Sequence, residues 1–300
     1  MRRIGVRMYN SISKISFPGL GIGEFSVNSV AFTIFGVSIA WYALIITTGM
    51  IGAVIYTIYM AKKIGVDSED IIDIALFTIP IGIIGARLYY VFTKLEEFPT
   101  LASVLNIRSG GLAIYGGIIA GAFTVLAVCY YKKIKFIALA DCISPGLILA
   151  QGIGRWGNFM NGEAFGYETD WFCRMGLQNH LTNYQLLYVH PTFLYESLWN
   201  LIGFGLANLY IKLVGKKYDG QIFIMVFGWY GLGRMLIEGL RTDSLYIPGT
   251  ALRISQVLAG VIFVAAAALL IYFAVKPPKA EFYHKQPKAA KPQAKNVKKK

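Results

Sequence analysis

The residues best equipped for chemistry stand in two short runs. GRWGNFMNGEAFG, Gly154 to Gly166, holds Arg155, Asn158 and Glu163 directly after an apolar stretch, ADCISPGLILAQGIG. GRMLIEGLR, Gly233 to Arg241, holds Arg234, Glu238 and Arg241 at i, i+4 and i+7, which is one face of a helix. Arginine presents a planar fork that matches phosphate oxygens, so several arginines at lipid-headgroup depth favour a phospholipid head. Asn158 and Glu163 beside them are suited to orienting guanidiniums and to binding glycerol hydroxyls. Any one Arg–Glu pair between helices is more often structural than catalytic. It is the clustering that carries the argument.

The elements that position these groups follow from composition. The chain has 300 residues, 56% hydrophobic and 15% charged, with a mean hydropathy of +0.54. A soluble surface needs more polar residues than that. Apolar windows of about 20 residues, the length of a membrane-crossing helix, recur along the chain. The pattern predicts an all-α integral membrane protein with about seven transmembrane helices, over 39–61, 71–93, 110–131, 136–157, 191–213, 221–241 and 252–275. It divides into an N-terminal outer arm (1–38), the seven-span domain (39–275) with an outer loop over about 159–190, and a tail (276–300). FSVNSVAFTIFGVSIAW alternates apolar and small residues, as an extended arm would. The amino end is basic without an apolar core and makes a poor signal peptide.

Ionisable residues inside spans are costly and mark function by default. At a rise of about 1.5 Å per residue, Arg234 lies high in the sixth span and Arg87, in GARLYYVF, high in the second. Arg155 and Asn158 end the fourth, while Tyr42, Tyr115 and Glu196 stand near the starts of the first, third and fifth. All these groups fall in one half of the bundle.

Lys62 and Lys63, then Lys132, Lys133 and Lys135, then Lys212, Lys216 and Lys217 occupy alternate connections, which places them on the cytoplasmic side. The N-terminus and the 159–190 loop then face outward. Arg2, Arg3, Arg7 and Lys14 run against this orientation. The net charge of +13 does not indicate nucleic-acid binding, because nine of the 29 Lys and Arg residues are lysines after Val275. That tail reads as disordered and attracted to anionic lipid. Cys129, Cys142 and Cys173 lack CxxC spacing and read as packing residues, with no metal site. His284 and His180 read as solvated, whereas His190, before Pro191, either starts a helix or supplies an imidazole.

GRWGNFMNGEAFG resembles the signature of the bacterial phosphatidylglycerol–prolipoprotein diacylglyceryl transferases. SIAWYAL, GARLYYVF, SGGLAIYGG, HPTFLYES and YGLGRMLIEGLRTDS are similar to further family motifs, in order over roughly 25–275. The resemblance implies seven spans in the bacterial cytoplasmic (inner) membrane, with the N-terminus outside and the C-terminus cytoplasmic. It also implies transfer of diacylglyceryl from phosphatidylglycerol to the lipobox cysteine of a prolipoprotein signal peptide, without a cofactor. It carries functional positions to Arg155, Asn158, Glu163, Gly166, Tyr230, Arg234, Glu238, Arg241 and Tyr42. Of these, Arg155, Asn158, Tyr42 and Arg234, together with Tyr115, are the expected catalytic set. Glu163, Gly166, Tyr230, Glu238, Arg241 and Arg87 join Arg155 in binding substrate. The sequence departs from the family at Tyr115, where many members have the histidine proposed as base. A phenol, with reference pKa about 10, is a weak base unless a cation ionises it. Tyr115 is then either a hydrogen-bonding group or a phenolate.

Two other readings compete. A secondary transporter carries buried charges near the midplane between internal repeats, and no repeat is visible here. A non-catalytic phospholipid-binding or lipid-transport protein would share the arginines.

Overall fold

A computed structural model describes residues 12–107, 110–278 and 282–285. Among them are eight helices: α1 (Trp41–Lys62), α2 (Ser68–Thr93), α3 (Leu101–Leu105), α4 (Ile114–Tyr131), α5 (Phe136–Asn161), α6 (Thr192–Leu213), α7 (Gln221–Glu238) and α8 (Ile254–Val275). Long helices occupy the seven apolar windows, and five of them (α1, α2, α4, α5 and α8) are long and apolar enough to cross a membrane. The remaining two, α6 and α7, carry Glu196, Arg234 and Glu238, whose charges lower their hydropathy.

Helix α5 is the hub, packing against α1, α6 and α7, while α8 lies on α7 and α2 pairs with α4. The α2–α4 pair joins the hub through a core at one end of the bundle, built from Met60, Ile64, Ile71, Cys129, Leu139 and Cys142. At that end the basic connections find carboxylates. Asp141 of α5 accepts from the Gly220 and Phe223 amides at 2.8 and 3.0 Å, capping α7 from a neighbouring helix, and from Lys216 at 3.2 Å. Lys216 and Lys135 also reach Asp219, at 2.7 and 3.0 Å. Burial alone would raise the Asp219 carboxyl, but hydrogen bonds from Lys216 and Lys135 hold it below the usual range.

The all-α expectation needs correction at the opposite end. Strands β1 (Ile12–Phe17), β2 (Ile22–Asn28), β5 (Met175–Gln178) and β6 (Leu187–Val189) form a four-stranded sheet in the order β2-β1-β5-β6. Strands β3 (Val30–Ile34) and β4 (Val37–Ala40) make a separate hairpin that runs straight into α1. Strand β1 alternates exposed and buried residues, so Ile15 and Phe17 meet Leu177 and Val189 in one core. The N-terminal arm and the 159–190 loop therefore complete one sheet, a long-range pairing that neither segment reveals by itself.

Lys14 pairs with Glu24 at 2.9 Å; Arg2, Arg3 and Arg7 lie outside the described residues. Within the tail expected to be disordered, Phe282–Lys285 pack against the bundle. The Tyr283 hydroxyl donates to the Lys133 carbonyl at 3.0 Å and its amide to Asp219 at 3.0 Å, while Lys285 pairs with Asp70. Buried carboxylates give this short stretch a charge-assisted anchor. The remainder of the expectation falls mostly on residues 279–281 and 286–300, outside those described.

Candidate active site at the arginine cluster

Helix α5 ends where the signature needs it to. Gly162 adopts a left-handed conformation (φ 62°), and the Glu163 amide turns back to the Asn158 carbonyl at 3.1 Å. That reversal brings the Glu163 carboxylate over its own helix end, where it accepts from Asn158 Nδ2 at 3.1 Å and Asn161 Nδ2 at 3.0 Å. Asn158 Oδ1 in turn accepts from Arg155 Nη1 at 3.3 Å. Carboxylate, amide and guanidinium form a single chain that aims Arg155 across the bundle.

It aims at Glu196 of α6. Arg155 Nη2 lies 2.6 Å from Glu196 Oε2, Arg234 Nη1 is 3.0 and 3.1 Å from the two carboxylate oxygens, and Arg241 Nη1 is 2.8 Å from Oε1. Arg234 Nη2 meets Glu238 at 2.6 Å, and Asp243 takes Arg241 in a bidentate pair at 3.0 and 2.8 Å. Helix α7 stops at Glu238, short of the expected 241; two turn bonds then carry Arg241 back into the cluster. Glu196 is 4% exposed and Glu238 1%. A lone carboxylate at such burial would cost several kcal/mol, and three guanidiniums offset that cost.

The glycines supply close approach. A Cβ on Gly157 would stand 2.7 Å from the Tyr42 ring, so Tyr42 of α1 lies against α5 between Arg155 and Asn158. A Cβ on Gly166 would stand 2.7 Å from His190 Cβ and the Leu240 carbonyl. Gly166 bridges to Arg241, and its amide donates to the His190 carbonyl at 2.9 Å, which ties the loop to the cluster. Tyr230 stands one helical turn before Arg234 on α7 and feels the charges of Arg234 and Arg155. Tyr115, at the start of α4, faces Ser255 of α8 at 3.4 Å between oxygens.

Arg87 is not brought into this cluster. Its Nε, Nη1 and Nη2 donate to the carbonyls of Val104, Gly110, Gly111, Ser103 and Asn106. A guanidinium has five N–H donors, and here they meet these carbonyls, contacts within the chain and away from the arginine cluster.

Sequence reasoning passed over Glu196 as a site residue, together with Asn161, Asp243 and Arg253. Arg253 donates to the Glu238 carbonyl and to the Tyr167 and Tyr246 hydroxyls, at 3.1 and 3.3 Å for the two tyrosines. The depth of Glu196 was a usable signal, whereas Asn161 and Asp243 stand outside any apolar window and Arg253 stands at the very edge of the last one. His190 hydrogen-bonds through Nδ1 to the Tyr195 hydroxyl at 3.2 Å, and burial lowers its pKa, favouring the neutral ring. Among the described residues, no group of three or more His, Cys, Asp or Glu is placed to hold a metal. A cavity of about 340 Å³ lies at the lysine end, lined by Lys63, Asp141, Cys142, Lys216 and Tyr283, away from the arginines.

Fold and site together define an integral membrane protein with a buried arginine–carboxylate centre. Residues 29–272 match the prolipoprotein diacylglyceryl transferase family model. The chain is 41% identical to the phosphatidylglycerol–prolipoprotein diacylglyceryl transferase of Finegoldia magna, over 82% of this chain and 96% of that one. The enzyme of the same name from Enterococcus faecalis is 40% identical, over 87% and 95% of the two chains. That of Clostridioides difficile is 39% identical, over 83% and 97%. The chain belongs to the prolipoprotein diacylglyceryl transferase family.

Proposed function

We propose that this chain transfers the diacylglyceryl group of phosphatidylglycerol to the lipobox cysteine of prolipoproteins, the first step of lipoprotein maturation. The observation that carries the reading is the convergence of Arg155, Arg234 and Arg241 on Glu196 at one end of the bundle. A phosphodiester entering there meets guanidiniums already held in place, in surroundings where charge stabilisation is worth far more than in water.

The peptide thiol, with reference pKa about 8.5, gives its proton to hydroxide or to a phosphate oxygen of the lipid and becomes the nucleophile. The thiolate attacks the glycerol carbon bonded to phosphate. The C–O bond breaks as the C–S bond forms, giving a thioether and glycerol phosphate, whose charge the arginines take up. Asn158 and Glu163 hold Arg155, and Glu196 and Glu238 hold Arg234. The Tyr115–Ser255 contact supports a neutral hydrogen-bonding role for the phenol, because its partner is a hydroxyl and not a guanidinium.

In this reading all seven long helices cross the cytoplasmic membrane of a bacterium. The sheet and arginine cluster face outward, and the lysine connections and C-terminus face the cytoplasm. Residues 1–38 form the outer arm, 39–275 the transferase domain with its outer loop, and 276–300 the basic tail. A cysteine introduced in the 159–190 loop should react with a membrane-impermeant reagent in intact cells, and one in the tail should not.

The functional test uses purified protein, labelled phosphatidylglycerol and a lipobox peptide. Label appearing on the peptide supports the transferase. Tight lipid binding without transfer, under conditions where a known transferase turns over, would favour a lipid-binding or transport protein.

A further inference from the structure

The β3–β4 hairpin has no charged residue, and none occurs between Glu24 and Lys62. Its register pairs Phe32 with Ile39, Thr33 with Ser38 and Ile34 with Val37. Because side chains alternate along a strand, Phe32, Ile34, Val37 and Ile39 share one face, while Thr33 and Ser38 share the other, their hydroxyls 3.3 Å apart. The apolar face is uncovered: Phe32, Ile34 and Val37 are 44%, 48% and 42% exposed.

The tip is odder. Phe35 (φ 48°) and Gly36 (φ 77°) are both left-handed, a turn that ordinarily takes Asn-Gly or Asp-Gly. A bulky aromatic residue at positive φ is uncommon, and this one is 102% exposed. A two-stranded hairpin is marginal in water without an apolar partner.

The hairpin is continuous with the membrane. Strand β4 passes into α1 at Trp41, and the Trp41 amide donates to the Ser29 carbonyl at 3.0 Å, closing the hairpin base against the helix start. Tryptophan at a span end sits at headgroup level. We infer that the β3–β4 hairpin is a lipid-inserted element. Its Phe35 tip and Phe32–Ile34–Val37 face lie in the acyl boundary of the leaflet that borders the arginine cluster, with Thr33 and Ser38 turned to the headgroups. The partner is the lipid itself, and the inference does not depend on the transferase reading.

The test places an environment-sensitive fluorophore on Phe35→Cys, and separately on Ser38→Cys, in full-length protein carrying Cys173→Ser. Cys129 and Cys142 are buried and stay unlabelled. Each protein is reconstituted in phosphatidylglycerol–phosphatidylcholine vesicles, and unchanged thermal unfolding certifies the fold. Lipids brominated on their acyl chains should quench the label at position 35 at least twofold more than aqueous iodide does, with the order reversed at position 38. Iodide quenching at 35 equal to that at 38 would put the tip in water and overturn the inference. Insensitivity of position 35 to both quenchers would overturn it equally, since protein, such as a second copy of the chain, would then cover the tip.

Discussion

Arg234 and Glu196 meet face to face: Nη1 of the arginine stands 3.0 and 3.1 Å from both oxygens of the carboxylate. Arg155 and Arg241 contact the same carboxylate from α5 and from beyond the end of α7. Without Glu196, three cations would share one buried volume.

Arg234→Lys keeps the charge but loses the planar fork that spans Glu196 and Glu238. Activity should fall at least tenfold, about 1.4 kcal/mol of transition-state stabilisation, with expression unchanged. Steady-state kinetics on purified protein check this, and near-native turnover would remove Arg234 from the chemistry.

Arg87→Lys should act on stability instead. A lysine has three donors for the five carbonyls that Arg87 serves, so unfolding in detergent should cost at least about 2 kcal/mol less. Limited proteolysis should cut sooner within 100–111. Unchanged stability with a raised KM for lipid would return Arg87 to the binding site.

Helix positions and the arginine face were legible because burial in a membrane writes itself as apolar windows interrupted by costly charges. Arg155 and Arg234 stood out for that reason. Arg87 carried the same signal yet donates to backbone carbonyls, and hydropathy cannot tell carbonyl from phosphate. The sheet was not legible, because β1 and β5 are separated by most of the bundle and each is short. Asp243 escaped notice because its role depends on how the chain turns after Glu238.

If Tyr115 is a neutral hydrogen-bonding group, Tyr115→Phe should lower kcat/KM about fivefold, the worth of about 1 kcal/mol, without moving the pH optimum. Ser255→Ala should do much the same. Abolished turnover in Tyr115→Phe, restored in Tyr115→His with a rising limb near imidazole's pKa of about 6.5, would make the phenol the base. Full activity at every pH would make it packing.

Asp219 gives a pH signature at the lysine end. Its folded carboxyl lies below the unfolded value of about 3.9, because Lys216 and Lys135 outweigh burial. The unfolded state therefore binds the proton first on acidification. The contribution is fully present above about pH 4 and is lost as pH falls through the folded value. Asp219→Asn should lower the unfolding temperature at pH 7 and flatten its decline below about pH 4. An unchanged acid limb would contradict the assignment.

The most direct test counts products. With phosphatidylglycerol and a lipobox peptide, the thiol consumed and the glycerol phosphate released should appear in a one-to-one ratio, and the peptide should gain a diacylglyceryl thioether by mass. Glycerol phosphate released without loss of thiol, or a peptide carrying an acyl thioester, would contradict the account.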